Sequence, residues 1–178
     1  FVLNYTRFIF SQTENVNALE AASLAAANDL SKIVVEDEYF GFISLSDYPP
    51  IGAGTTAGDQ QPLPVFGINT IIATTRLDLI IAHELNNPVM ISLAERDVKK
   101  AQESAQNLST ALQKAVDGDG VARDLDGNPV DVLGNARQVY QTNIDRNTAT
   151  GKGQIQTFKL SLGWIEGGTS TVKLITIT

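Results

Sequence analysis

Between Val2 and Val35 the chain contains neither proline nor glycine, and alanine supplies much of the centre of that stretch. The two strongest helix breakers are missing where the best helix former is concentrated. Val16, Leu19, Ala26, Leu30 and Ile33 recur at helical spacing, so the pattern predicts one long helix over residues 1–35. Ala18, Ala21, Ala22, Ala25 and Ala26 bury little area individually, and their concentration is explained by close backbone approach to another helix. We therefore expect Ala18, Ala22, Ala25 and Ala26 to form the face through which the protein meets a partner or another copy of itself. The competing use of that face is internal, against the chain's own later helices.

The remaining punctuation divides the chain into shorter elements. Residues 40–45 (Phe-Gly-Phe-Ile-Ser-Leu) have β-type composition, and Asp47-Tyr48-Pro49-Pro50 stops the strand. Residues 51–64, rich in glycine and proline, read as an exposed loop. A second helix is predicted over residues 68–85, with Asn69 as its cap. Ile71, Ile72, Leu79, Ile80 and Ile81 make it apolar around much of its circumference, which predicts a central place in the core. Asn87-Pro88 has the form of an N-cap followed by proline at the first helical position, opening a third helix to residue 116. Within it Ala94, Val98, Ala101, Ala105, Leu108, Leu112 and Ala115 trace the seam of an antiparallel helical hairpin.

Asp117-Gly118-Asp119-Gly120 and Asp126-Gly127-Asn128-Pro129 are turn signals, and residues 130–144 read as a further helix. Residues 154–162 and 171–178 alternate around Glu166-Gly167-Gly168 as a β-hairpin would. The resulting expectation is an α+β fold: a long N-terminal helix, a central helical hairpin, and a small, mostly antiparallel sheet that includes a C-terminal hairpin. At 178 residues with 43% hydrophobic side chains, residues 1–178 are expected to form a single domain.

A net charge of -7 opposes attraction to nucleic acid or an anionic lipid surface. The chain has no cysteine, which removes disulfides, thiolate nucleophiles and cysteine-ligated zinc. No Gly-x-Ser-x-Gly or nucleotide-binding Gly-x-x-x-x-Gly-Lys-Ser/Thr pattern is present, and Gly151-Lys152-Gly153 reads as a flexible entry to the C-terminal hairpin. Trp164 reads as a core anchor. No enzyme activity and no cofactor are therefore expected.

Two local constellations have chemical readings. Asp117, Asp119, Asp124, Asp126 and Asp131 form an acidic run, and Asp124, Asp126 and Asp131 are its candidate calcium ligands. The spacing departs from a helix–loop–helix calcium site, and the plainer reading is two Asp/Gly turns. Ala82-His83-Glu84-Leu85-Asn86-Asn87-Pro88 resembles the phosphoacceptor box of sensor histidine kinases, which implies phosphotransfer through His83. The plainer reading is that Asn87 and Pro88 begin a helix and that His83 sits at the end of the preceding one.

Residues 17–30 (Asn-Ala-Leu-Glu-Ala-Ala-Ser-Leu-Ala-Ala-Ala-Asn-Asp-Leu) resemble the segment that follows the N-terminal membrane helix in tight-adherence pilus-assembly proteins and related pilin-like envelope proteins. The resemblance covers the first 35 residues. It implies a noncatalytic bacterial protein of the cell envelope, extracytoplasmic or on the cell surface, engaged in pilus assembly by protein contact. Phe1 in place of Met implies that an upstream piece, a membrane anchor, has been removed. Mature type IV pilins also begin with Phe, but Tyr5 stands where they have Glu, and Asn4 and Arg7 interrupt the apolar span. The anchored envelope family is thus the better match. The alternatives are an extracytoplasmic ligand-sensing domain and a histidine phosphotransfer domain using His83.

Overall fold

The computed structural model describes residues 2–47, 64–147 and 157–163. Within them the chain is α+β: α1 (Val2–Lys32), β1 (Val35–Asp37), β2 (Gly41–Ser44), β3 (Val65–Gly67), α2 (Ile68–Glu84), α3 (Pro88–Asp117), β4 (Ala122–Arg123), β5 (Pro129–Val130) and α4 (Val132–Asn147). These elements fall into two compact units. One comprises Phe1–Asp29, Ala115–Gly120 and Asp131–Thr178, the other Leu30–Lys114 and Val121–Val130.

In the second unit, α1 gives way to β1 three residues earlier than its composition predicts. Ile33 N–H still bonds the Leu30 carbonyl at 3.2 Å, but Val34 N–H turns away to the Arg123 carbonyl at 3.0 Å. The β-branched pair Val34-Val35 favours the extended backbone that follows. β1 and β2 are antiparallel, with Val35 opposite Ile43. Their connection is closed by Asp37, whose Oδ1 accepts the Tyr39 and Phe40 amides at 2.9 and 3.0 Å, and by Gly41 at a φ of 81°. β3 then joins β2 in parallel, pairing Ile43 with Phe66. The sheet is therefore mixed, with order β1-β2-β3.

The start of α2 corrects the expected cap at Asn69. Gly67 occupies the N-cap and has no side chain to offer, so Asp47, just beyond β2, reaches across instead. Its Oδ1 accepts the Gly67 amide at 2.8 Å and its Oδ2 the Thr70 hydroxyl at 2.7 Å. These two bonds, the Thr70 one foremost, hold the Asp47 carboxyl below the usual aspartate range. Gly67 is required by space: a Cβ there would lie 2.9 Å from the Asp47 nitrogen. The buried side chains of this unit include Ile33, Ile43, Val65, Ile68, Ile71, Ala94, Ala101, Leu108 and Leu112.

In the first unit, α4 begins at Asp131, whose Oδ1 accepts the Gly134 amide at 2.8 Å as an N-cap. Asn135 on α4 donates to the buried carboxylate of Asp29 on α1 at 2.5 Å, and the rings of Tyr140 and Phe158 meet at 5.8 Å. Ala18, Ala22, Ala26, Val132, Ala136 and Leu160 are buried here. The alanine face expected to meet a partner is thus enclosed by the chain itself at Ala18, Ala22 and Ala26, and Ala25 is half-buried. The outward side of α1 carries Val16 and Leu24.

A hairpin does form, but between β4 and β5 around Asp126-Gly127. Of the expected C-terminal hairpin, residues 157–163 are in no strand, and the rest lies outside the described residues. Phe1, the loop at residues 51–63, Gly151-Lys152-Gly153 and Trp164 also lie outside them. Among the described residues no helix is long and apolar enough to cross a membrane.

Ala22→Leu should destabilise the isolated chain by roughly 1–3 kcal/mol through overpacking, whereas Ala27→Leu, on the exposed side of α1, should change stability by less than about 0.5 kcal/mol. Urea unfolding of the two variants checks this; equal stabilities would place the alanine face outside the packed interior.

Candidate protein-contact surface

The end of the α2–α3 hairpin is built by turn chemistry. α2 stops in a Schellman arrangement: the Asn86 amide bonds the His83 carbonyl at 2.9 Å and the Asn87 amide the Ala82 carbonyl at 3.4 Å. Asn86 has a φ of 47°, the only positive value at a non-glycine position among the described residues. Asparagine is the commonest residue after glycine to accept that conformation. Asn87 then serves α3 at once, its Oδ1 accepting the Val89 and Met90 amides at 3.1 and 3.3 Å. Pro88 fills the first helical position, where no amide hydrogen is needed. Each residue of the histidine-kinase-like box after Glu84 thus has a backbone task. His83 is exposed in the last turn of α2.

This fixed turn presents an apolar surface. Leu77, Ile80 and Ile81 on α2, Leu85 at its C-cap, and Val89, Met90 and Leu93 on α3 are between 39% and 68% exposed. On α2 the spacing of three and one residues places Leu77, Ile80 and Ile81 along one stripe, on the side away from the buried Ile68, Ile71, Thr75 and Ala82. The expectation that α2 lies centrally in the core is therefore corrected, because the fold covers only one of its two apolar faces. Burying one such side chain is worth roughly 1.5–3 kcal/mol, and apolar side chains left in water along one stripe of a helix are a feature of the kind that marks an interaction site.

A second cluster in the same unit fastens the β1–β2 turn to α3. Tyr39 donates its hydroxyl to Asp97 at 2.6 Å, and Arg96 donates to that hydroxyl at 3.0 Å while standing 5.7 Å from the ring centre. Ser104 Oγ lies 2.6 Å from Asp37 Oδ2, and Lys100 pairs with Glu103 at 2.7 Å. Burial pushes the Asp37 carboxyl up. The Ser104 hydrogen bond, the Phe40 and Tyr39 amides and the Lys100 charge outweigh it and hold the carboxyl below the usual range. A depression of about 450 Å³ lies beside these groups. Ligand sites of that size are mostly apolar with a few polar groups. This one is walled largely by charged groups, of which Lys100 holds Glu103 and Asp37 holds Ser104.

The candidate calcium ligands are engaged in turns. Asp124 Oδ1 accepts the Asn128 amide at 2.8 Å and its Oδ2 the Asn128 side chain at 3.0 Å, while Asp131 caps α4. Among the described residues no group of three or more such side chains is gathered as a metal ion would need, and Asp124 and Asp131 each have a backbone role in a turn or cap. The exposed stripe carries a signal in the sequence that the periodicity alone does not resolve: α2 has more apolar positions than one face can use. No protein-family model, curated protein or solved structure matches this chain.

Asn86→Ala should cost about 1–2 kcal/mol by forcing a Cβ-bearing residue without a compensating amide into the left-handed region, while Asn86→Gly should be neutral or stabilising. Asn87→Ala should cost about 1 kcal/mol through loss of the cap. Chemical denaturation of the three variants tests this turn; an Asn86→Ala protein as stable as the Gly variant would contradict it.

Asp37 titrates below its ordinary value, so the stability it contributes is complete above about pH 4 and is lost as pH falls through its lowered folded value. The stability gap between wild type and Asp37→Asn should therefore be constant from neutral pH down to about pH 4 and narrow below it. Thermal unfolding across that range measures the gap, and a gap that widened with acid would reverse the sign of the argument.

Proposed function

We propose that the chain is a noncatalytic assembly protein of the bacterial cell envelope, pilin-like or pilus-associated, which works by protein contact. The observation that carries this reading is the exposed stripe at the hairpin end, mounted on a turn in which Asn87 accepts the Val89 and Met90 amides and Asn86 closes α2. A rigid apolar anchor surrounded by polar groups is the form that binding surfaces take. The envelope setting is supported by the alanine-rich helix α1 and its resemblance to pilus-assembly proteins. The contact is moved, however, from the alanine face, which the chain encloses, to the hairpin.

The test compares wild type with the double variant Leu85→Asp/Val89→Asp, each expressed from the complete gene in the producing bacterium. Wild type should sediment with the envelope in a large assembly. The variant should keep the same melting temperature, because both sites are exposed, and leave that assembly. A wild-type protein found unassembled in the cytoplasmic fraction, or a variant that assembles normally, would overturn the proposal.

A further inference from the structure

We infer that the occupant of the hairpin stripe is a second copy of this chain, bound with the two α2 helices antiparallel about a two-fold axis at Ile80. The inference rests on the reading of the hairpin end as a contact surface and names its partner. A two-fold contact must be self-complementary: whatever residue i meets, that residue's counterpart must meet i in return. An antiparallel crossing centred on Ile80 meets this condition. It brings Leu77 towards the last turn of α2 in the other copy, at His83 and Glu84, and stacks the Ile80 side chains on one another.

The charges fit the same operation. Arg76 and Glu84 lie four residues to either side of Ile80 on the same side of α2, so an axis at Ile80 sets each Arg76 opposite the Glu84 of the other copy. Among the described residues neither of them takes part in an ion pair within the chain. Two such pairs would locally offset the repulsion between chains that each carry a net charge of -7. A parallel crossing would instead place Arg76 beside Arg76 and Glu84 beside Glu84.

The area is of the right order as well. Seven large aliphatic side chains about half exposed offer on the order of 500 Å² of apolar surface, to which the polar rim adds, against roughly 800 Å² per partner in a standard interface. A stripe without aromatic residues, lined by Leu, Ile, Val and Met from two helices, matches another stripe of the same kind by helix-on-helix packing.

Analytical ultracentrifugation of the 178-residue chain over a range of concentrations is the measurement. Wild type should show a monomer–dimer equilibrium. Arg76→Glu and Glu84→Arg should each weaken it by about tenfold or more, and the double exchange should restore it, since the pairs re-form with reversed sign. Ile80→Glu should abolish it; unchanged far-ultraviolet circular dichroism in each variant shows that folding is intact. A wild-type chain that stays monomeric overturns the inference, whether it then binds neutral phosphatidylcholine vesicles, making lipid the occupant, or does not, leaving a different protein. Single charge reversals that weaken the dimer without rescue in the double variant overturn the antiparallel arrangement. Envelope assembly lost in Leu85→Asp/Val89→Asp alongside a monomeric wild type would sink this inference and leave the proposed function standing.

Discussion

The first four amide hydrogens of every helix lack a partner within that helix, and three helices of this protein take theirs from a short Asp or Asn side chain. Asp47 serves α2 from another part of the sequence, Asn87 serves α3 from within the turn, and Asp131 serves α4. These caps fix where the helices begin and therefore which residues each presents. They also account for the groups that looked chemically active. Asp124 and Asp131 hold turns, and the Asn-Asn-Pro sequence after His83 closes one helix and opens the next. Once the backbone's needs are met, the apolar stripe of the hairpin stands among the described residues that have no task inside the chain.

Much of the helical architecture was legible from sequence because its signals are local. Asn87-Pro88 marks the start of α3 within a residue, and the seam from Ala94 to Ala115 is recovered in the burial of Ala94, Ala101, Leu108, Leu112 and Ala115. β2 was visible for the same reason. What stayed hidden depends on distant residues. β3 is only three residues long, too short for alternation to show, and its parallel pairing is decided by β2. The Asp47 cap lies twenty residues before the amide it binds. Asn69 is a suitable cap by local sequence, and tertiary structure supplies Asp47 instead.

The site was harder to read than the fold, since composition does not state which apolar residues a fold will cover. Alanine in α1 and isoleucine in α2 gave similar periodic patterns. Small side chains admit close neighbours, so the chain drew Ala18, Ala22 and Ala26 inside. The long side chains of Ile80, Ile81 and Leu85 stand on the far side of a helix whose other face already meets the core. Sequence periodicity locates such a stripe, and only the packed structure assigns it inward or outward.

The parallel pairing of β2 with β3 bears on the order of folding. Parallel neighbours require a crossover, so this pairing waits until residues 45–64 have brought their ends together, a step that costs chain entropy before any contact rewards it. The α2–α3 turn and the β1–β2 turn join adjacent elements and close over a few residues, which favours their early formation. The bond from Asp47 to the Gly67 amide then acts as a late latch, and opening that latch releases β3 and the start of α2 together while leaving the hairpin turn intact.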